Sequence, residues 1–284
     1  MSHKKNKKKD RIKRLVYIFL SFVLSVCLFF LSLSLIIRVT IFSPDFMKNA
    51  MSSTAYYQFI KEEFADKLKN LGHASGLSDD FVDKFVEDFD FIEIESEYVD
   101  AFYSEGSTLV NTTKFKQSML SALEAYIEEN NIDKSKASEA NLIYLVDKAS
   151  EIYVAHVTVP FFSVIGNYIK KLDVPLRIAE IAFAVLSAGI IAIIYFTNEY
   201  KHRRYRYICY GTTGAALTVA VIPAVVGITG IVGKASIGTR SLYNLFVSYF
   251  SSFFNYFWAF AGVLAFFSVV AFIVFYTRFK KAIS

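Results

Sequence analysis

The sequence is poor in residues that carry chemistry or staple a fold. It has 2 Cys, 4 His, 4 Pro and 1 Trp in 284 residues. Both Cys27 and Cys209 fall in long apolar runs, where a small thiol behaves as a core side chain. The histidines, His3, His73, His156 and His202, lie at no metal-ligand spacing. No H-E-x-x-H, G-x-S-x-G, Walker loop or dinucleotide fingerprint occurs. The sequence thus lacks the motifs of the common hydrolases, nucleotide-binding enzymes and zinc proteins, and no catalytic residue, cofactor or metal is expected. The reading is of a protein that is not an enzyme.

Charge is missing too, but only locally. Residues 15–37, LVYIFLSFVLSVCLFFLSLSLII, contain none. About 20 apolar residues cross a bilayer. Seventeen of these 23 are Leu, Ile, Phe or Val, which makes insertion favourable by roughly 5–10 kcal/mol. The run is long for a cleaved signal and no A-x-A-like site follows, so a retained anchor is expected. Ser21, Ser25 and Ser32 share one helix face, where small residues let another helix approach. Three further spans are predicted, at 176–197, 207–232 and 253–277, with Pro223 kinking the third. The expected fold is all-α: a four-helix transmembrane bundle, with a helical domain inserted between the first span and the second.

What is present in excess is positive charge at particular places. The first fourteen residues carry eight Lys/Arg. The segment 198–206, predicted as a loop, carries Lys201, Arg203, Arg204 and Arg206, and the tail 278–284 adds Arg278, Lys280 and Lys281. Four spans put all three on one side, and the positive-inside rule makes that side the cytoplasm of a plasma membrane. Lys201, Arg203, Arg204 and Arg206 are therefore expected to stop translocation and to touch anionic lipid. The patch is short and flanked by spans, so nucleic acid is not an expected partner.

The opposite side receives residues 38–174, with 13 Lys/Arg and 23 Asp/Glu, a net charge of −10. Its apolar residues recur mostly at helical spacing. Ser43-Pro44 starts one helix; 56–71 makes another, expected to stop at Gly72; Ser78 caps a third. Further helices are predicted near 95–104, from Asn111-Thr112 onward, over 138–158 and over 161–172. Only DFIEIESEY alternates like a strand, without an obvious partner. The domain has no cysteine, which suits a bacterial surface.

Candidate sites are few. The acidic run from Asp79 to Asp100, with Asp83, Glu87, Asp88, Asp90, Glu93, Glu95 and Glu97, lacks the ligand spacing of an EF-hand and reads as a solvated face. Arg177 and Glu180 stand three apart near the outer end of the second span, close enough to touch each other or a neighbouring helix. In the third span Ala216, Ala220, Ala224, Gly227 and Gly230 offer small-residue faces for helix packing. Residues 240–250, with Leu242, Leu245, Phe246, Tyr249 and Phe250 on one stripe, are expected to form a short helix in the outer interface.

The plan carried by MSHKKNKKKDRIKR, by the cysteine-free SSTAYYQFIKEEF and ASGLSDDFVD stretches and by the closing apolar triplet resembles integral membrane proteins of Gram-positive bacteria that have four spans and a helical extracytoplasmic domain. That resemblance implies no activity. The expectation is a non-catalytic membrane protein whose outer domain binds or senses a surface ligand or partner. Its other partners are the bilayer and a membrane protein or second copy. One span, a large outer domain and three spans is also the layout of permease subunits of cell-division-type ABC transporters, so an accessory or permease-like transport subunit is the alternative.

Overall fold

The computed structural model describes residues 2–52, 55–132, 139–160, 162–198 and 200–283. The chain is all-helical, with no strand among the described residues. Its helices are α1 (Ser2–Val39), α2 (Pro44–Ser52), α3 (Tyr56–Ser75), α4 (Asp79–Asp88), α5 (Phe91–Glu105), α6 (Thr113–Glu129), α7 (Glu139–Val157), α8 (Phe162–Thr197), α9 (Lys201–Thr229) and α10 (Arg240–Ile283), with a 3-10 turn at Val232–Lys234.

Four of these helices are long and apolar enough to cross a membrane: Arg11–Val39, Lys171–Thr197, His202–Lys234 and Arg240–Lys281 bound the candidate segments. Residues 2–14 of the expected tail are already part of α1. Most of the basic stretch expected as a loop over 198–206 is helical: from Lys201 onward it forms the first turns of α9, because no Gly or Pro interrupts KHRRYRY. The short interfacial helix expected at 240–250 does not stand alone. It is the beginning of the 44-residue α10, since neither Pro nor Gly occurs between Arg240 and Ala261. Pro175 sits inside α8 without ending it.

The chain forms two compact units. The first comprises residues 1–42, 172–234 and 250–284. Its main pairing is α1 with α9. Ile36 of α1, Ala215, Ala216 and Val219 of α9, and Phe257, Ala261 and Leu264 of α10 form one apolar cluster. Leu24, Cys27, Ile190, Ile194 and Tyr207 form a second, tying α1 to α8 and α9.

The second unit comprises residues 43–171 and 235–249. Within it α3 packs on α4 and α7, α6 on α7, and α2 on α5. Its core is aromatic: Phe64, Phe91, Phe115 and Tyr153 are wholly buried. Phe115 stacks on Tyr153 with centroids 4.5 Å apart, and Phe64 meets both edge-on. The helix boundaries follow local chemistry. Ser78 Oγ accepts from the Phe81 amide and caps α4 as expected. The stop expected at Gly72 is not used; α3 runs through it to Gly76, whose φ of 77° supplies the left-handed closing turn. The strand-like stretch DFIEIESEY is helical. Asp90 caps α5 by accepting from the Glu93 amide, and Phe91, Ile94, Tyr98, Val99 and Phe102 then make one buried stripe.

Candidate functional site

The second unit holds an open cleft of about 950 Å³ between α4, α5 and α6. Each wall follows from helical phase. Phe81, Phe85 and Phe89 point one ring per turn into the base, joined by Ile94 from α5 and by Ala122, Ala125 and Tyr126 from α6. The Phe81 and Tyr126 rings are 4.9 Å apart, and the Tyr126 hydroxyl donates to Ser78 Oγ at 3.3 Å, fixing α6 to the start of α4. The small side chains of Ala122 and Ala125 leave the space that larger residues would fill. Above this floor the rim is charged: Asp80, Asp88, Asp90, Glu93 and Glu129 face Lys84 and Lys114. Among the lining residues there is no histidine and no cysteine.

The acidic stretch is divided in use. Lys114 bridges Glu97 at 2.6 Å and Glu93 at 2.9 Å, and these bonds raise its pKa above the ordinary lysine value. Lys69 pairs with Asp83 at 2.7 Å and Lys48 with Asp100 at 2.6 Å. Glu95 departs from the expectation of a solvated face. It occupies a core position of the α5 stripe and is wholly buried. Burial pushes its carboxyl well above the usual carboxylate range, and the nearby Tyr56 phenol opposes this only in part. The same burial, and then the proximity of Glu95, raises the Tyr56 phenol. Glu95 is not part of the cleft lining. Among the described residues no three Asp, Glu, His or Cys side chains gather as a metal site.

A second arrangement in this unit had no sequence signal. Glu63 of α3 caps α10: its Oε1 accepts from the amides of Arg240 at 2.8 Å and Ser241 at 3.2 Å, and its Oε2 from Ser241 Oγ at 2.6 Å. The Arg240 guanidinium lies 3.8 Å above the Phe59 ring. Tyr249 packs edge-on against Phe46. Residues 240–249 therefore have protein neighbours on their apolar stripe.

In the first unit Arg177 and Glu180 do not pair with each other. Arg177 pairs with Asp173 one turn back at 3.1 Å, both half-exposed. Glu180 reaches α1, where its Oε1 accepts from Arg38 Nε at 2.8 Å, and its side chain is only 12% exposed. Nothing short-range in the sequence links these two, 142 residues apart.

The basic cluster at the start of α9 is largely committed to its own surroundings. Arg204 Nε donates to the Asn198 carbonyl at 2.9 Å and its guanidinium lies over Tyr195, closing the turn after α8. Arg206 donates to the Tyr207 hydroxyl, and Arg203 stacks on Tyr200 at 4.3 Å. Arg203 also lines a small notch with Lys13, Arg14 and Tyr17. The side chain of Lys201 lies outside the described residues.

The small-residue faces sort differently from the expectation. Ala216 is buried against α1 and α10, and Ala220 and Ala224 are half-buried. Gly227 and Gly230 are exposed, and a Cβ added at either would meet nothing. Gly230, with φ 60°, ends α9 and is not a packing residue. The close approach is made by Gly211 and Gly214, where a Cβ would come within 2.8 Å of Leu24 Cδ2 and 2.7 Å of Ser25 Oγ. They meet the face of α1 that carries Ser21 and Ser25.

Comparison with protein families, with curated proteins and with solved structures finds no match for this chain. The site itself must carry the functional argument.

Proposed function

We propose that the protein is a non-catalytic, multi-pass membrane protein whose helical second unit binds a ligand in the α4–α5–α6 cleft. The carrying observation is the cleft: its volume lies within the range of small-molecule sites, about 300–1,000 Å³, and an apolar floor under convergent polar groups is how such sites are built. The membrane reading is supported by the first unit's surface. Phe19, Phe22, Ile181, Phe196, Leu217, Ile228 and Phe266 are each more than 60% exposed, an arrangement suited to lipid and unsuited to water. The charge asymmetry supports an orientation with both termini and the basic segment 198–206 in the cytoplasm and residues 38–174 outside.

The transport-subunit alternative is disfavoured by one finding. The basic residues that would have to dock an ATPase are the first turns of α9, from Lys201 onward, and Arg204 is committed to the Asn198 carbonyl and the Tyr195 ring.

Native mass spectrometry of the full chain from its own membrane tests the binding reading. A bound mass is expected in the unaltered protein and should vanish when Ala122→Trp and Ala125→Trp fill the cleft. A chain that never carries such a mass, or a filled cleft that keeps it, refutes the reading. Orientation is tested on intact cells with an impermeant thiol reagent: a cysteine placed at 130 should react and one placed at 203 should not.

A further inference from the structure

We infer that the ligand of the cleft is a small organic cation with an apolar or aromatic body. This rests on the reading of the cleft as the binding site and adds its chemistry.

Two features of the cleft select that class together. The first is the charge on its rim, which carries five carboxylates against two ammonium groups. The positive groups are also the weaker part of the balance. Lys114 is already held between Glu93 and Glu97, so its charge is answered before any ligand arrives. Asp80, Asp88 and Glu129, in contrast, have no ion-pair partner among the described residues. An anionic ligand would meet three unanswered carboxylates, with Lys84 as the nearest compensation.

The second feature is the floor. Phe81, Phe85 and Phe89 line the base of the cleft, with Tyr126 beside Phe81. These rings offer an apolar seat and, through their faces, attraction to a cation within about 6 Å. A purely hydrophilic cation such as a metal ion would leave this seat unused, and no metal-ligand set is gathered among the described residues. A neutral apolar ligand would leave the carboxylates without a role. The volume lies in the range of drug-sized ligands.

The test uses the full chain in nanodiscs and three water-soluble probes that share one naphthalene body: a (naphthylmethyl)trimethylammonium cation, naphthalenemethanol and a naphthylmethanesulfonate. Nanodiscs holding the Ala125→Trp chain report partition into lipid and are subtracted. Titration calorimetry should show the cation binding about tenfold or more tightly than the alcohol, with the sulfonate weakest. Combining Asp80→Asn, Asp88→Asn and Glu129→Gln should remove most of that preference and leave the alcohol unchanged. All three positions are exposed and unpaired, so the fold should persist, which circular dichroism checks. Equal affinity for the three probes, or a cation affinity that survives the amide substitutions, overturns the inference and leaves a site for neutral apolar ligands. Silence from all three probes overturns it too; the copurified mass described above then decides whether the cleft binds anything.

Discussion

The two units handle aromatic side chains in opposite ways. In the second, Phe64, Phe115 and Tyr153 are fully buried, with Phe64 edge-on to the stacked Phe115–Tyr153 pair, as rings pack when water is the alternative. In the first, Phe19, Phe22, Phe266 and Phe272 are all more than half exposed; few rings, such as Phe257 and Tyr207, enter its apolar clusters, and the closest helix approaches are made at Gly211 and Gly214, with the Arg38–Glu180 ion pair joining α1 to α8. Hydrocarbon is as apolar as a phenyl ring, so a bundle in lipid gains little by hiding one. It gains by bringing backbones close and by satisfying polar groups internally. One sequence therefore follows two packing rules, as lipid around one unit and water around the other would require.

The sharpest way to break this contrast is a pair of identical truncations. Phe64→Ala should cost about 3–5 kcal/mol, seen as lost amide-exchange protection in α3 and α7. Phe266→Ala, at a ring 64% exposed, should stay within about 0.5 kcal/mol in graded SDS unfolding. Comparable losses at both positions would end the two-solvent account.

Glycine substitutions probe the membrane-type rule itself. Gly211→Val forces a side chain into Leu24 and should weaken the first unit by about 1–3 kcal/mol. Gly227→Val, facing open space, should leave SDS resistance unchanged.

Glu95 sharpens the comparison from the aqueous side. Its folded-state pKa is raised, so above the unfolded carboxylate value of about 4.3 the folded chain keeps a proton that the unfolded chain has lost. Stability contributed there is complete at low pH and declines as pH rises, by up to about 1.4 kcal/mol per pH unit. Hydrogen exchange of α5 between pH 5 and 7.5 should show this slope, and Glu95→Gln should flatten it. A slope unaltered by that substitution would place its origin in the acidic surface instead. A modest loss is expected at Ser78→Ala, about 1 kcal/mol from the lost α4 cap, read as earlier fraying of α4 and a looser wall of the cleft.

Short-range signals were legible in the sequence. The all-helical class, the four long apolar helices, the Ser78 cap and the Pro44 start need only local composition and spacing. The failures have physical causes. DFIEIESEY alternates by chance at period 2, but Phe91, Ile94, Tyr98 and Phe102 also satisfy period 3.6, and tertiary burial selects the latter. The same phase would have flagged Glu95 as a core residue. Gly72 and Gly76 differ only in which one the surrounding chain turns at. Gly227 and Gly230 carry as strong a packing motif as Gly211 and Gly214, yet only the latter meet α1, and no local pattern says which face a partner will take. The Glu180–Arg38 pair, the Glu63 cap and the cleft join residues far apart in the chain, so they emerge only once the helices are placed.

The α1–α9 contact has a consequence for biogenesis. Leu24 and Gly211 are separated by roughly 190 residues, and translation at about 5–20 residues per second delivers the second some 10–40 seconds after the first. Through that interval the nascent N-terminal helix holds a grooved, serine-bearing flank with no mate from its own chain. It must be shielded by the insertion machinery, or it can capture the late helix of a neighbouring ribosome's product and emerge as a swapped dimer.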